Sequence, residues 1–481
     1  MELVIEYYLE DELKTFTSDL KKKIADGDEN LSFLCESNND GLLLTIYPKR
    51  ELIFKDIYVN YDLNIKENEK IFFNGYKDSS FSYEIGANKF DEELNENIFK
   101  KYIWDKKEFV GFSYLYIRDD ENYRLYASLN EDFAFTKFTY QKDIGLTFSL
   151  DIDSYKTANS FVALNICFIS GKENEVFDKY FKLLNISKPR INSLYSYIIK
   201  DKDFDEELLI KKNEYIDTIL IDVSDYLDTD DLNDADFKNI IDKIHDSGYK
   251  TGLCLKPFCV KEDSNFYQRH KDWLVFVEEG LYILDIYNNE FKDYLKNLFN
   301  KWDFDLYEFD NLSNICFLNE YYNKPKATIM KDALNLLKEL IDEKIMVVKD
   351  VPLASCFGLV DACFVTPSFD FVDNKSLLSG LGFKQDSFNN VLLNLIYRKG
   401  LNNRAFCNAC DLDILEKDDR YKMLLLLNKF FASSCFISGK LENIDNDTLF
   451  DNEFAKLKFE DKFVKIDYKN KDIDKTIKIK L

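Results

Sequence analysis

The nine-residue stretch FDLYEFDNL, Phe304 to Leu312, combines apolar and aromatic residues with acids near its end. Such a mixture favours a strand that is at least partly buried. Successive side chains on a strand point to opposite faces, so Glu308 and Asp310, two positions apart, share one face. The stretch therefore predicts a strand that carries two carboxylates on the same face at its carboxyl end.

Strand-like runs alternate with amphipathic helical segments on both sides of this stretch. In chain order the runs are SLYSYI, TILIDV, KTGLCLK, DLYEFD, KIMVVK, DACFVT, RAFCNA and SCFIS. Eight strands with intervening helices over about 250 residues are typical of a (β/α)8 barrel, or TIM barrel. A doubly wound sheet is the alternative, but no Gly-rich phosphate loop follows the first strand. We therefore predict a (β/α)8 barrel of catalytic type at residues 186–440.

The segments that flank this region have the patterns of β-structure. Residues 1–185 contain short runs such as GLLLTIY and IGLTFSLDI, separated by turn signals. Two packed antiparallel sheets accommodate this pattern, which predicts an N-terminal β-sandwich. Residues 441–481 return to short β-like runs and predict a small C-terminal β domain. The expected fold class is thus multidomain, α/β plus β.

The composition indicates which classes of binding partner and which cellular compartment to expect. The net charge of −24 over 481 residues opposes binding to nucleic acid or to anionic membranes, so a neutral substrate fits better. No apolar run reaches the length of a membrane span, and the acidic N-terminus MELVIEYYLEDEL lacks the apolar core of a signal peptide. The ten cysteines lack framework spacing, which favours reduced thiols and a cytoplasmic protein.

Among the residue types that can act in catalysis, carboxylates are the best candidates in this sequence. Only His245 and His270 are present, and neither stands beside an obvious nucleophile. The motif CNAC is a lone CxxC, and no calcium-type loop occurs, so we expect no metal and no organic cofactor. Any acid–base chemistry in this chain is therefore expected to rest on aspartate and glutamate.

The active site of a (β/α)8 barrel lies at the carboxyl ends of its strands. Asp222 ends the run TILID and Lys256 ends TGLCLK, so both are expected to converge with Glu308 and Asp310. Two interpretations of Glu308 stay open: a part of the site, or the partner of Lys256 in a buried salt bridge. The second is compatible with a chemical role for Asp310.

Motifs along nearly the whole chain resemble those of one enzyme family, the α-galactosidases of glycoside hydrolase family 36 in the melibiase clan. The segment 249–275, YKTGLCLKPFCVKEDSNFYQRHKDWLV, is similar to the family text GxKxGLWLAPFxVxxxSxLxxxHPDW, and WDFDLYEFD to WGFDYLKLDF. Further matches in the same order are FFNGYKDSS, ISKPRINSLYSY, GLVDACFVTP, NACDLDIL and ASSCFISGKLENI. The resemblance implies a divergent member with an N-terminal sandwich and a barrel.

The resemblance also implies a reaction and site residues. The family hydrolyses terminal α-linked galactose with retention of configuration, through an Asp nucleophile and a second carboxylic acid. The nucleophile position is Asp310 here. Asp222 and Asp411 match family acids, and the substrate is a carbohydrate. Self-association into a homo-oligomer stays open.

Several family positions are changed. Glu308 stands where the family has a Lys that donates to sugar hydroxyls, and Phe364 and Ser368 replace the Arg and the catalytic Asp of RIGPD. Asp370, two residues further on, is the nearest substitute acid. Other positions of the sugar pocket differ as well: Ser79, Leu194, Tyr197, Val223 and Cys254.

Three hypotheses are compatible with these residues. The first is an active retaining glycosidase for galactosides or related sugars, with Asp310 as nucleophile and Asp370 or Glu308 as acid. Its expected sugar-binding residues are Asp222, Cys254, Lys256, Glu308, Ser368 and Asp411. The second is a catalytically silent relative that binds carbohydrate or a protein partner. The third is a purely structural role beside an active homologue. Turnover of an aryl α-galactoside separates the first from the other two.

Overall fold

A computed structural model describes most of the chain. The described residues are 1–21, 23–80, 82–87, 109–152, 154–200, 213, 215–223, 234–260, 262, 264–278, 281–367, 386–414, 419–439, 452–460, 463–470 and 473–480. They form two compact units. The first comprises Met1–Tyr76, Ser82–Ile186 and Cys316–Asp332, and the second comprises Lys77–Phe81, Ser187–Ile315 and Ala333–Leu481.

Within its described residues, the first unit contains fifteen strands and a helix that follows them. The strands are β1 Glu2–Leu9, β2 Glu12–Asp19, β3 Lys23–Gly27, β4 Leu31–Asn38, β5 Gly41–Pro48, β6 Leu52–Tyr61, β7 Lys70–Phe73, β8 Tyr83–Gly86, β9 Phe109–Phe112, β10 Tyr114–Arg118, β11 Tyr123–Ser128, β12 Phe135–Gln141, β13 Gly145–Asp151, β14 Tyr155–Thr157 and β15 Phe161–Gly171. Helix α1, Glu173–Leu184, follows β15.

These strands form two antiparallel sheets that share one core. The sheets have the orders β2-β1-β6-β13-β12-β9, with β14 beside β6, and β3-β4-β5-β15-β11-β10-β7-β8. Alternation places Leu31, Phe33 and Cys35 of β4 inside. They belong to the same buried cluster as Leu3 and Ile5 of the other sheet. The predicted N-terminal β-sandwich architecture is therefore confirmed.

The second unit is built on eight parallel strands that close into a barrel. In barrel order they are β16 Leu194–Lys200, β17 Thr218–Asp222, β18 Lys250–Leu255, β22 Leu306–Phe309, β23 Ile345–Val348, β24 Ala362–Phe364, β25 Cys407–Ile414 and β26 Ser434–Gly439. Each of the eight predicted runs supplies one of these strands. The predicted (β/α)8 barrel is confirmed.

Further short strands and α-helices lie in the described part of the chain after α1. Between β18 and β22 lie β19 Cys259–Val260, β20 Leu274–Glu278 and β21 Leu281–Leu284, which form a three-stranded sheet. The helices after α1 are α2 Asp234–Asp246, α3 Asn265–Arg269, α4 Asn289–Lys301, α5 Leu318–Tyr322, α6 Lys326–Ile341, α7 Asp386–Tyr397 and α8 Asp419–Phe431. Of these, α5 lies in the first unit and α6 runs from the first into the second.

A small antiparallel sheet near the C-terminus consists of β27 Asn452–Phe459, β28 Phe463–Asn470 and β29 Ile473–Lys480. It confirms β-structure in the last part of the chain, while the boundaries of the three domains, at 186 and 441, stay predictions. Among the described residues, no helix is both long and apolar enough to cross a membrane.

The barrel interior is filled by small and large apolar side chains of the barrel strands. Leu220, Leu306 and Phe364 belong to this buried cluster. Gly252 of β18 makes the packing possible, because a Cβ there would lie 2.6 Å from Leu220 Cδ1 and 2.8 Å from Leu306 Cδ2. The interior is thus a packed core, and polar chemistry is left to the strand ends.

Candidate active site

Charged side chains gather at the carboxyl ends of five barrel strands, which we call the barrel mouth. Asp222 ends β17, Lys256 follows β18 by one residue, Asp310 follows β22 and Lys349 follows β23. Asp411 lies within β25. Parallel strands place their carboxyl ends on one side of the barrel, so these groups come from distant parts of the sequence to the same side.

Asp310 is held by its neighbours in the backbone. Its N–H donates to Leu255 O of β18 at 3.0 Å. Its Oδ1 accepts a hydrogen bond from the N–H of Asn311 at 2.6 Å. Asn311 has a φ of 59°, a left-handed conformation that Asn adopts more readily than most residues. The chain therefore turns sharply after Asp310, and the half-buried carboxylate is fixed at the strand end.

Glu308 lies deeper in the barrel and is only 3% exposed. Burial raises its pKa to about 8; Lys349 opposes this rise, and Asp411 and Asp310 add to it. Its Oε1 accepts a hydrogen bond from the Cys254 thiol at 3.6 Å, and its Oε2 has no hydrogen-bond partner. Glu308 is consequently a neutral carboxylic acid at neutral pH, with one oxygen free for a polar ligand.

Lys349 is a functional candidate that the sequence analysis missed. Its Nζ donates to Asp411 Oδ2 at 2.6 Å and lies 5.0 Å from the centroid of the Phe364 ring. Burial alone lowers the pKa of Lys349, but Asp411, Glu308 and Asp310 outweigh burial and hold that pKa above its usual value. The run KIMVVK ends in this Lys, so the strand-end rule that selected Lys256 would have found it.

Lys349 also bears on the two interpretations of Glu308. The sequence left open a buried salt bridge between Glu308 and Lys256, whereas the largest favourable charge acting on Glu308 is Lys349. Lys349 reaches the mouth from β23, the strand that pairs with β22. A cation is thus present near the position from which the family's Lys is missing, and it comes from the neighbouring strand.

Cys254 lies directly across from Glu308 in the register of β18 and β22. Burial, followed by the charges of Glu308, Asp222 and Asp310, raises its pKa well above the usual value for a thiol. Cys254 therefore stays a neutral thiol and a weak donor. Asp222, Glu308 and Asp310 all act electrostatically on this one thiol, so the three acids form one group.

The predicted site residues have three different outcomes in the structure. Asp222, Cys254, Glu308 and Asp310 form one electrostatic group, and Asp411 joins it through Lys349. Lys256 occupies its predicted strand end. Ser368 and Asp370 lie outside the described residues, so the acid expected at Asp370 stays a prediction.

Comparisons with solved structures show which known fold the chain has. No protein-family model matches the sequence, and no curated protein matches it. Among solved structures, the α-galactosidase TtGalA from Thermus thermophilus in complex with p-nitrophenyl α-D-galactopyranoside matches with a TM-score of 0.63 at 15% identity, covering 94% of this chain and 98% of that one. The same enzyme in complex with stachyose matches with a TM-score of 0.60 at 15% identity, covering 89% and 98% of the two chains.

A third similar structure is the glycoside hydrolase family 36 α-galactosidase AgaA from Geobacillus stearothermophilus. It matches with a TM-score of 0.57 at 9% identity, covering 93% of this chain and 74% of that one. The chain thus has the fold of the family 36 α-galactosidases, and the predicted resemblance is confirmed at the level of the fold.

Proposed function

We propose that the protein is a retaining glycosidase that removes a terminal α-linked sugar, galactose or a related one, from oligosaccharides or glycosides. The observation that carries the proposal is the group at the barrel mouth: Asp310 is fixed at the end of β22 beside Lys349 and the neutral acid Glu308. The fold supports it, since solved examples are α-galactosidases, seen with p-nitrophenyl α-D-galactopyranoside and with stachyose.

In this proposal Asp310 is the nucleophile. Its carboxylate attacks the anomeric carbon while the glycosidic oxygen takes a proton from an acid and leaves. Water then attacks the same carbon, its proton returns to that acid, and Asp310 is released. The negative charge of Asp310 beneath the ring also stabilises the oxocarbenium-like transition state. Asp370 is the acid that the sequence suggests for the proton transfer.

The sugar hydroxyls are assigned to the polar groups that surround Asp310. Glu308 Oε2 accepts from, or its proton donates to, one hydroxyl, and Lys349 supplies the cationic donor that the family places at position 308. The remaining proposed contacts come from Asp222, Cys254, Lys256, Ser368 and Asp411. Because acceptors outnumber cations, this pocket favours neutral, hydroxyl-rich ligands that donate hydrogen bonds.

The test is hydrolysis of a panel of aryl α-glycosides by the parent protein and by Asp310→Asn. We expect turnover of at least one member by the parent, release of the sugar with its original anomeric configuration, and no turnover by the variant. Asp303→Asn is the matched control, because Asp303 lies before the same strand and is largely exposed. Turnover by Asp310→Asn equal to the parent's would end the nucleophile assignment.

A second candidate function is carbohydrate binding without catalysis. The observation that favours it is the Lys349–Asp411 ion pair, because two charged groups that neutralise each other are less available to a sugar. In that case the parent would bind galactose or an oligosaccharide in calorimetry and hydrolyse no member of the panel. Asp310→Asn would then bind the sugar as tightly as the parent.

A further inference from the structure

A short segment between β7 and β8, Lys77–Phe81, belongs to the compact unit of the barrel rather than to the unit of the sheets that flank it in sequence. Arg398, which follows α7, is completely buried and holds the described part of this segment. Its Nη2 donates to the carbonyl oxygens of Lys77 and Ser80, each at 3.0 Å. A buried guanidinium with carbonyl partners is a rigid attachment, since each partner lost would leave a buried polar group unsatisfied.

The same guanidinium connects the segment with the barrel mouth. Arg398 Nη1 donates to the carbonyl oxygen of Val365 at 2.5 Å and to that of Asp78 at 3.4 Å. Val365 directly follows β24, the strand that leads to Ser368, where the family's catalytic acid would stand. Asp78 is thus attached near the end of β24, the strand after which the sequence has Ser368 in place of the family's acid.

A second attachment fixes the segment at the end of β23. Lys77 Nζ lies 2.5 Å from Asp350 Oδ1 and donates to Ser313 Oγ at 3.1 Å. Ser313 Oγ in turn donates to Asp350 Oδ2 at 2.6 Å. Asp350 immediately follows Lys349, so Asp78 lies between the ends of two neighbouring barrel strands, β23 and β24.

The Asp78 carboxyl is 3% exposed, and its Oδ1 accepts from the N–H of Ser79 at 2.7 Å. Burial and then the charge of Asp350 raise its pKa to about 6, against the opposing effects of the Ser79 N–H, Lys349 and Lys77. On the side of β24, Asp78 acts on the thiol of Cys363, whose pKa is raised first by burial. Asp78 therefore exchanges its proton close to neutral pH, as a group that both donates and accepts protons must.

Asp78 and Asp310 both interact electrostatically with the ammonium group of Lys349. The charge of Asp310 raises the pKa of Lys349, and the charge of Lys349 lowers the pKa of Asp78. We propose that Asp78 is the acid and base of the proposed glycosidase, supplied by the Lys77–Phe81 segment in place of the acid expected after β24. This assignment rests on the proposed function.

The proton balance of the assignment is simple. In the first step the protonated Asp78 carboxyl gives its proton to the glycosidic oxygen as the bond to the anomeric carbon breaks and the bond to Asp310 forms. In the second step the Asp78 carboxylate takes a proton from the attacking water, and the bond to Asp310 breaks. Asp78 ends the cycle protonated, and no other reactant is consumed.

The experiment compares Asp78→Asn with the parent on two aryl glycosides of the same sugar. For the phenyl glycoside, whose leaving group needs a proton, we expect kcat/KM of the variant to fall by roughly 100-fold or more. For the dinitrophenyl glycoside, whose leaving group departs without a proton, we expect a loss below about 10-fold.

Azide, a nucleophile that needs no base, should restore turnover of the Asp78→Asn variant and yield the glycosyl azide of unchanged configuration. The alkaline limb that the parent shows near its Asp78 pKa should disappear.

Two further variants make the result decisive. Asp350→Asn removes the neighbouring carboxylate and should show no azide rescue, because it takes no part in proton transfer. Asp370→Asn tests the competing acid, and azide rescue of that variant in place of Asp78→Asn would overturn the assignment. Phenyl glycoside turnover by Asp78→Asn at the parent's rate would overturn it as well, while the proposed function would stand. A parent that hydrolyses no glycoside would refute both, and thermal unfolding verifies that each variant is folded.

Discussion

Lys349 and Asp411 form an ion pair of 2.6 Å across the barrel mouth, between β23 and β25, which are separated by β24. Their side chains are only 15% and 17% exposed. A buried pair of this kind is costly to assemble but far costlier to break on one side, because the remaining charge then lacks a partner. Lys349 also interacts with Asp310, so its positive charge balances more than one carboxylate at the barrel mouth.

Removal of that charge is expected to destabilise the fold. Lys349→Met should lower the free energy of unfolding by about 3–5 kcal/mol, as is usual when one partner of a buried pair is deleted. Denaturant unfolding at neutral pH measures the change. Lys349→Arg is the control, because it keeps the charge, and it should lose less. The double variant Lys349→Met with Asp411→Asn should recover part of the loss, because it removes the stranded carboxylate. Equal stability of parent and Lys349→Met would contradict this account.

Local patterns in the sequence predict the barrel strands, whereas contacts between distant residues leave no local pattern. The eight strands and the position of Asp310 are predicted by alternation and by the strand-end rule. The Lys349–Asp411 pair joins residues 62 positions apart, and no periodicity encodes such a pair. Asp78 was missed for the same reason: in sequence its segment lies between strands of the sandwich, and contacts with distant residues such as Arg398 connect it to the end of β24.

Glu131 of the sandwich is expected to make stability depend on pH. Burial raises its pKa to about 8, although Ser128, Thr136 and Ser113 donate hydrogen bonds that oppose the rise. The folded state thus holds this proton more tightly than the unfolded state, whose pKa is near 4.5. The resulting stabilisation is complete below pH 4.5 and is lost as pH rises through about 8.

The variant Glu131→Gln isolates this contribution, because an amide cannot ionise. Between pH 4.5 and pH 8, the difference in unfolding free energy between parent and variant should change by on the order of 4 kcal/mol, with the parent losing stability. Chemical denaturation at several pH values measures it. Glu67→Gln, at an exposed position, is the control and should follow the parent. A constant difference between parent and Glu131→Gln would show that Glu131 is ionised in the folded protein.

A side chain at Gly252 is expected to destabilise the barrel core. The Cβ of Gly252→Ala would meet Leu220 and Leu306 at distances shorter than any relaxed carbon contact, inside a core that cannot expand freely. We expect a loss of about 1–3 kcal/mol in unfolding free energy, the usual cost of overpacking. Adding Leu306→Val should restore part of it, because the contact at 2.8 Å is to a methyl group that Val lacks. If Leu306→Val only adds its own loss of stability to that of Gly252→Ala, the clash with Leu306 is not the cause of the destabilisation.

Arg398 is expected to act as a positioning residue for the Lys77–Phe81 segment. Arg398→Lys keeps the positive charge but cannot reach the four carbonyl oxygens of Lys77, Asp78, Ser80 and Val365 at once. At least about 2 kcal/mol of stability should be lost, because each carbonyl left without a donor is costly. The amide of Ser80, which donates to Lys77 O, should exchange its hydrogen faster. If Asp78 is the acid, phenyl glycoside turnover should fall more than dinitrophenyl glycoside turnover. Arg404→Lys is the matched control, since Arg404 donates to Gly400 O and should leave exchange at Ser80 unchanged.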